Sequence, residues 1–289
     1  MRRWAVRIGD REIALSARRV APTPTGPITR GPVVQPHVRQ RSVEGAMSYI
    51  AAVAEHPETT VWYHTIELPD GTVTPGAFDH RALVAGYGFP DDMTGLTALD
   101  VATFDGFWAF EMEKRGARVS AIDLARHNDS DLPPPAKALL DERYGEVPTA
   151  PNFPNTKEQL GSEVERIQTS VYDLDPAKHG TYDFVHCADL LLHLERPWAA
   201  LRAIRGVTGE RALIVDSFDP ELTMGRHGPT VSYRGGWEDV VWWCPSLDAL
   251  AQQVIDAGFR TVRVHQTYNV TQVGNPDEGY WRVALIAEV

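Results

Sequence analysis

Apolar and polar residues follow their most regular pattern between Leu96 and Asp123, where they predict a strand, a tight turn, a helix and a second strand. These four elements are Ala98–Val101, Thr103–Gly106, Phe107–Arg115 and Val119–Ile122. A strand that enters a helix through a tight turn leaves backbone N–H groups free at the start of the helix. An acid about 20 residues further on is typical of units that hold a ribose. The stretch therefore predicts a nucleoside site, with Asp123 as its acid.

The rest of the chain continues the alternation of strands and helices. Further strands are predicted at Ile167–Val171, Tyr182–Leu192 and Ala212–Asp216, and a closing hairpin at residues 262–264 and Trp281–Ala287. Helices are predicted at Ala136–Tyr144, at Trp198–Gly206 and between a Ser246 cap and Gly258. The prolines before Ala136 and the proline- and asparagine-rich residues after Tyr144 are expected to be irregular, and residues 217–245 are expected to form a long excursion. This order predicts an α/β fold with a Rossmann-like sheet of seven strands.

Three regions are expected along the chain. They are an extension rich in arginine and proline at residues 1–46, a helix and hairpin ahead of the core at 47–95, and the main domain at 96–289. The helix is predicted at Ser42–His56. The hairpin is predicted from the alternation of Trp62, Ile66 and Leu68 with polar residues, followed by a proline–glycine turn.

Composition narrows the class of protein. The chain has 289 residues, of which 43% are hydrophobic, enough for a sizeable core, and no apolar run long enough to span a membrane. Its two cysteines, Cys187 and Cys244, lie in apolar surroundings, which favours a reducing cytoplasm. The net charge is −11 although nine arginines lie within residues 1–41, so the rest of the chain is strongly acidic. An acidic body disfavours the binding of a nucleic-acid partner, whose phosphates need lysine and arginine.

The motif at the start of the main domain resembles that of class I S-adenosylmethionine (SAM)-dependent methyltransferases. Their first motif usually reads D-x-G-x-G-x-G, and residues 100–106 here read D-V-A-T-F-D-G. Ala102 and Phe104 replace two of the three glycines, whereas Gly106 and Asp123 fit the pattern. An unrelated Rossmann-like βαβ unit is the alternative. The segment before the core and residues 182–197 are also similar to tRNA wobble-uridine carboxymethyltransferases and their small-molecule-directed relatives.

The resemblance implies SAM as the cofactor and assigns a set of residues to it. The set comprises Phe78, Asp100, Ala102, Thr103, Phe104, Gly106, Asp123, Leu124, Tyr172, Asp173, Ala188 and Asp189. Asp123 is expected to hold the ribose. Asp173 is expected to accept from the adenine amino group, with Tyr172 against the ring. Ala188 and Asp189 are expected to lie near the methionine end of the cofactor.

Three histidines are candidates for a general base. Methyl transfer from a sulfonium depends mainly on orientation, but a hydroxyl acceptor must also lose a proton. His193 follows the fourth strand of the sheet, His227 lies in a glycine-bracketed loop, and His64 belongs to the hairpin before the core. Each has a packing role as its alternative. No metal is expected, because no HxH or HExxH spacing is present.

The sequence thus favours a SAM-dependent methyltransferase that acts on a small molecule in specialised metabolism, at oxygen. Two alternatives stay open. One is tRNA wobble-uridine modification, which the acidic charge disfavours, and the other is a catalytically inactive SAM-binding subunit, which the two lost glycines suggest. Leu192 stands where the carboxymethylating relatives have a tyrosine, so a plain methyl donor is expected. Assembly into a homo-oligomer is compatible with each of these three functions.

Overall fold

The computed structural model describes residues 3–8, 11–16, 62–144, 148–225, 228–238 and 240–289. The chain divides into two compact units, Met1–Arg39 and Gln40–Val289. The first unit contains an antiparallel pair of strands, β1 (Arg3–Ile8) and β2 (Arg11–Ser16). The helix predicted at Ser42–His56 lies outside the described residues.

The second unit is built around a sheet of seven strands. The strands of this unit are β3 (Thr97–Val101), β4 (Arg118–Asp123), β5 (Glu165–Gln168), β6 (Tyr182–Ala188), β7 (Thr208–Ser217), β8 (Val231–Glu238), β9 (Val241–Pro245), β10 (Thr261–Gln272) and β11 (Asn275–Glu288). The sheet has the order β10-β11-β7-β6-β3-β4-β5, while β8 and β9 form a separate hairpin. Strands β3 to β7 are parallel, and β11 and β10 close the sheet as an antiparallel pair. The predicted seven-stranded α/β sheet is confirmed.

The helices of this unit lie between its strands, and the first five connect the parallel ones. They are α1 (Phe107–Lys114), α2 (Pro134–Tyr144), α3 (Phe153–Leu160), α4 (Pro176–His179), α5 (Pro197–Val207), α6 (Pro220–Met224) and α7 (Leu247–Asp256). Short 3-10 turns lie at Arg81–Gly86, His127–Asp129, Val171–Asp173 and Leu191–His193. As predicted, the Ser246 side chain caps α7, accepting a hydrogen bond from the backbone of Ala249.

The prediction around residues 133–160 was wrong in part. Helix α2 begins inside the proline run, and α3 occupies a proline- and asparagine-rich segment that was expected to be irregular. Proline is tolerated in the first turn of a helix, where its missing N–H needs no partner. Gly161, with φ of 60°, then ends α3 in the left-handed conformation.

Three further boundaries differ from the prediction. Strand β5 ends at Gln168, three residues early, because the chain turns at Val171–Asp173. The hairpin predicted before the core is reduced to single bridges, His64 to Phe78 and Glu67 to Val73. The excursion at residues 217–245 contains α6 and the β8–β9 hairpin, which the sequence did not indicate.

Two apolar layers cover the two faces of the sheet. On one face, Leu201 of α5 and Leu250 of α7 pack on Leu99 and Val101 of β3. The other face carries Phe110 and Met112 of α1. Parallel strands buried on both faces are typical of α/β folds. Among the described residues, no helix is both long and apolar enough to cross a membrane.

A chain of polar side chains runs through the second apolar layer. The carboxylate of Asp100 accepts a hydrogen bond from Nδ1 of His186 at 2.7 Å, and the Tyr87 hydroxyl lies 3.1 Å from Nε2 of the same ring. All three side chains are almost completely buried. A carboxylate oxygen only accepts, so Nδ1 carries the ring proton and Nε2 accepts from Tyr87 in the neutral imidazole. The Tyr87 ring also stacks on Trp108, with centroids 3.7 Å apart.

We expect Tyr87→Phe to lower the free energy of unfolding by about 1–3 kcal/mol, because it leaves a buried acceptor on His186 without a donor. Urea denaturation of the two proteins measures this difference. Tyr233→Phe is the matched control, since Tyr233 is 61% exposed, and its effect should stay within about 0.5 kcal/mol. Equal stabilities of Tyr87→Phe and the parent would show that the bond to His186 contributes nothing.

Candidate functional site

The loop between β3 and α1, residues 102–106, adopts an uncommon backbone conformation. Ala102, Phe104 and Gly106 have φ angles of 61°, 46° and 91°, all in the left-handed region. Side chains other than glycine rarely adopt this conformation. These are the three positions at which the resembled motif has glycine, so the loop keeps a glycine-type path although two of its glycines are replaced. At Gly106 a Cβ atom would lie 2.5 Å from the Phe110 ring, so no larger residue fits.

Asp123 holds this loop from the end of β4. One of its carboxylate oxygens accepts from the backbone N–H of Phe104 and the other from that of Leu124, both at 2.7 Å. Burial raises the pKa of Asp123 to about 6. The carboxylate has about four acceptor sites, so these two bonds leave room for a ligand.

A cavity of about 260 Å³ lies beside Asp123, at the carboxyl ends of β3, β4 and β5, and is called the carboxyl-edge cavity below. Its walls comprise Val101, Ala102, Ile122, Asp123, Leu124, Asp129, Ser130, Asp131, Thr169, Ser170, Val171, Tyr172, Leu190, Leu194 and Arg196. Four residues assigned from the sequence are among them: Ala102, Asp123, Leu124 and Tyr172. A larger cavity of about 550 Å³, with Thr97 and Arg118 in its wall, lies at the opposite edge. Open α/β sheets bind ligands at the carboxyl edge, which favours the smaller cavity.

Other residues assigned to the cofactor do not line this cavity. Asp173 is exposed, because the early end of β5 turns Ser170–Tyr172 toward the cavity in its place. Asp100 points into the core, where it binds His186. The remaining ones are Phe78, Thr103, Phe104, Gly106, Ala188 and Asp189. The expected contact of Asp173 with adenine stays a prediction.

The Phe104 ring connects two neighbouring segments. Its centroid lies 5.9 Å from that of Tyr63 and 6.2 Å from that of His127. A glycine at this position would leave the space between these segments without a side chain. Phe104 therefore lies against the segment before the core on one side and against the segment after β4 on the other.

The rim of the carboxyl-edge cavity contains Asp131 and Arg196, which the sequence did not indicate as site residues. The Asp131 carboxylate accepts from the Tyr172 hydroxyl at 2.5 Å and from the backbone N–H of Glu195 at 2.9 Å. The Arg196 guanidinium lies over the Tyr172 ring, 4.5 Å from its centroid. Asp131 belongs to an irregular stretch without a motif, so no sequence signal pointed to it.

His193 lies on the 3-10 turn after β6, close to the same rim. Its Nδ1 donates to the carbonyl oxygen of Val240 at 2.8 Å. A carbonyl only accepts, so the proton of the neutral ring is on Nδ1 and Nε2 keeps a free lone pair. Burial lowers the pKa of His193, Asp189 raises it and Arg282 lowers it. The arrangement suits a general base that is neutral at physiological pH.

An ion pair lies next to His193 at the carboxyl ends of β6 and β7. The Arg282 side chain donates to the Asp189 carboxylate, and both are largely buried. Asp189 has a φ angle of 49°, a further left-handed residue that is not glycine. Burial and the nearby charge of Asp189 raise the pKa of Asp216 to about 7. Arg282 was missed in the sequence, although a single arginine beside the apolar run of β11 was a usable signal.

His64 is bound to the β3–α1 loop and not to the cavity. Its Nδ1 donates to one oxygen of Asp105 at 2.5 Å, and the other oxygen accepts from the backbone N–H groups of Tyr63 and His64 at 2.9 and 2.7 Å. Asp105 is completely buried. This carboxylate fastens the segment before the core to the loop. Of the other histidine candidates, His227 lies outside the described residues.

Within the described part of the chain, no three or more His, Cys, Asp or Glu side chains are grouped so that they could hold a metal ion. The carboxylates of Asp189 and Asp216 are instead engaged by Arg282 and by backbone N–H groups, respectively.

We expect Asp105→Asn to loosen residues 62–80 selectively. The amide keeps one acceptor oxygen but turns an N–H toward a donor, and each donor left unpaired costs about 1–3 kcal/mol. Hydrogen–deuterium exchange of this segment should accelerate roughly 5–150-fold, while strand amides stay protected. Asp183→Asn is the control, because Asp183 accepts from the backbone and hydroxyl of Thr97 at the opposite edge. Unchanged exchange of residues 62–80 in Asp105→Asn would contradict the anchoring role.

Comparisons with known proteins agree with this fold. Residues 99–215 match the family model described as a methyltransferase domain. The chain is similar to the N-terminal domain of EvdMO1 solved with SAH bound, with 17% identity and a TM-score of 0.51 over 83% of this chain and 95% of that one. The same domain solved in the presence of SAH and D-fucose gives 16% identity and a TM-score of 0.51 over 84% and 97%. A comparison with curated proteins finds no match.

The segment that matches the family model spans the five parallel strands of the sheet, β3 to β7. It begins in β3, ends in β7 and includes the β3–α1 loop, Asp123, the carboxyl-edge cavity and His193. At these identities, the similarity to EvdMO1 shows the fold. The sheet is therefore Rossmann-like, and residues 99–215, less than half of the chain, match the methyltransferase-domain family.

Proposed function

We propose that this protein uses SAM to methylate a small molecule at a hydroxyl oxygen, with His193 as the general base. The observation that carries the proposal is the β3–α1 loop. It keeps a left-handed path at all three glycine positions of the resembled motif, and the ribose-type acid Asp123 holds it beside the carboxyl-edge cavity.

The carboxyl-edge cavity is suited to the adenosine part of the cofactor. Asp123 offers acceptor capacity for ribose hydroxyls, and Tyr172 offers an aromatic ring in the wall. The backbone of Thr169–Tyr172 borders the same space, so adenine can be recognised there without Asp173. At about 260 Å³ the cavity lies just below the usual range of ligand sites, as expected for a pocket that takes one part of a larger molecule.

The charge of the site fits a cationic donor. Asp100, Asp105, Asp123 and Asp216 are buried acids at or near the carboxyl edge, and a sulfonium is a cation whose charge such groups stabilise. A donor with an additional carboxylate would meet these acids at considerable cost, because the nearby Arg282 is already paired with Asp189 and Arg196 already lies over the Tyr172 ring. The tRNA-modifying alternative, which in the resembled family uses such a donor, is therefore the weaker one.

The acceptor end lies at His193. The lone pair on its Nε2 is available to take the hydroxyl proton, and the bond to Val240 keeps the ring in the correct tautomer. Methyl transfer then forms the new carbon–oxygen bond as the carbon–sulfur bond of the sulfonium breaks. The proton moves to His193, and the donor leaves as the neutral thioether.

We expect Asp123→Asn to weaken SAM binding by about 1–3 kcal/mol, because the amide offers one acceptor oxygen in place of two. Isothermal titration calorimetry measures this loss. Since the pKa of Asp123 is about 6, SAM affinity of the parent should fall as the pH falls from 7 to 5, by at most tenfold per unit. The decrease should be absent in Asp123→Asn.

Asp129→Asn is the control, since Asp129 borders the same cavity with a half-exposed side chain paired to Arg126. It should bind SAM like the parent and keep the pH dependence. Equal SAM affinities of the parent and Asp123→Asn would remove Asp123 from the site, and absence of SAM binding by the parent would refute the proposed function.

We expect His193→Ala to lower turnover roughly 10²–10⁴-fold, the usual share of a general base, while SAM affinity stays constant. Turnover is measured by transfer of labelled methyl groups to an acceptor found by screening hydroxylated small molecules. In the parent, turnover should fall at acid pH with a midpoint below about 6.5, because burial lowers the pKa of His193. His179→Gln, at the opposite edge of the sheet, should have no effect. Undiminished turnover of His193→Ala would leave His193 as a packing residue.

A further inference from the structure

Asp131 connects the rim of the carboxyl-edge cavity to the β8–β9 hairpin. Its carboxylate is bound by Tyr172 and by the backbone of Glu195, and its carbonyl oxygen accepts from Nε1 of Trp242 at 2.6 Å. Asp131 and Tyr172 both line the cavity. A ligand in the cavity therefore contacts residues that are bonded directly to the hairpin.

The same hairpin holds His193. Val240 lies at the turn between β8 and β9, two residues before Trp242, and its carbonyl accepts from Nδ1 of His193. A path thus leads from Asp131 to His193. One hydrogen bond joins Asp131 to Trp242, the backbone of residues 240–242 leads from Trp242 to Val240, and a second hydrogen bond joins Val240 to His193. Trp243, on the opposite face of β9, instead donates to the carbonyl of Glu195 at 3.1 Å.

We propose that Trp242 is a positioning residue that couples occupancy of the carboxyl-edge cavity to the tautomer of His193. This inference rests on the proposed function of the cavity as the cofactor site. Cofactor binding orders the rim at Asp131 and Tyr172, the ordered Asp131 carbonyl fixes Trp242, and Trp242 fixes the Val240 carbonyl that His193 needs. His193 then presents Nε2 to the acceptor when a methyl donor is present.

The other groups near His193 do not replace this bond. The Asp189–Arg282 pair acts on the ring through its charges, which shift the pKa of His193 in opposite directions. Neither is hydrogen-bonded to a ring nitrogen of His193 in the described structure. The Val240 carbonyl is the group that selects between the two neutral tautomers, because an acceptor at Nδ1 favours the Nδ1–H form.

Trp242→Phe tests the path, because it removes the Nε1 donor and keeps an aromatic ring. Trp243→Phe is the matched control on the neighbouring residue. The readout is nuclear magnetic resonance of protein labelled with ¹⁵N-histidine, in which the ring shifts report the tautomer of His193. The His193→Gln variant identifies the signal among the ten histidines. No methyl acceptor is needed, and S-adenosylhomocysteine (SAH) serves as the probe of the cavity.

In the parent we expect the Nδ1–H tautomer to dominate, and saturation with SAH to strengthen it. In Trp242→Phe we expect a mixture of tautomers that does not respond to SAH, with SAH affinity roughly 2–10-fold lower by calorimetry, the equivalent of one hydrogen bond. Trp243→Phe should behave like the parent. If Trp242→Phe does not fold, the parent alone tests the coupling. A change of its His193 ring signals on saturation with SAH supports the coupling, and unchanged signals contradict it.

Three results would overturn the coupling. They are a His193 tautomer in Trp242→Phe equal to that of the parent, equal effects of the two tryptophan substitutions, or a parent signal that SAH leaves unchanged although SAH binds. Failure of the parent to bind SAH would instead refute the proposed function, and the tautomer in ligand-free Trp242→Phe would still decide whether Trp242 positions His193.

Discussion

Two buried carboxylates hold the β3–α1 loop in a conformation that its side chains disfavour. A left-handed residue other than glycine costs roughly 1–2 kcal/mol, and Ala102 and Phe104 both adopt this conformation. A hydrogen bond to a charged group contributes about 1.5–3 kcal/mol, and Asp123 supplies one to the backbone of Phe104 itself. Asp105, two residues before α1, ties the segment before the core to the same loop. The strain and the bonds that offset it are thus of similar size.

The cavity and the candidate base depend on this loop in different ways. The carboxyl-edge cavity lies directly against Ala102 and Asp123, so the loop forms one of its walls. His193 lies on a separate turn and obtains its orientation from the β8–β9 hairpin. A parallel sheet supplies rigid strand ends, while the excursions after these ends carry the groups that vary between relatives. The division explains how one sheet can serve many acceptors.

The parts of the fold that could be predicted from the sequence are those that follow from local patterns. The βαβ unit at residues 96–123 has regular apolar spacing. The Ser246 cap of α7 follows from the preference of serine for the position before a helix, where its side chain accepts from a backbone N–H. Helix α3 was missed because proline was taken as a helix breaker, although it is harmless in a first turn. The hairpin β8–β9 was missed because its role depends on contacts with Asp131 and His193, which are distant in sequence. In the site, the loop and Asp123 were predictable from spacing, whereas Asp131 and Arg282 acquire their meaning only from tertiary partners.

The aromatic ring at position 104 has a consequence for engineering this protein. Replacement of unusual residues by those common in a family is a standard route to higher stability, and glycine at positions 102 and 104 would be the first choice. At Ala102 the change only relieves backbone strain. At Phe104 it would also remove the ring that lies between Tyr63 and His127, and the two segments would lose their common contact. Whether a family-typical residue stabilises this protein thus depends on which side chains pack against that position.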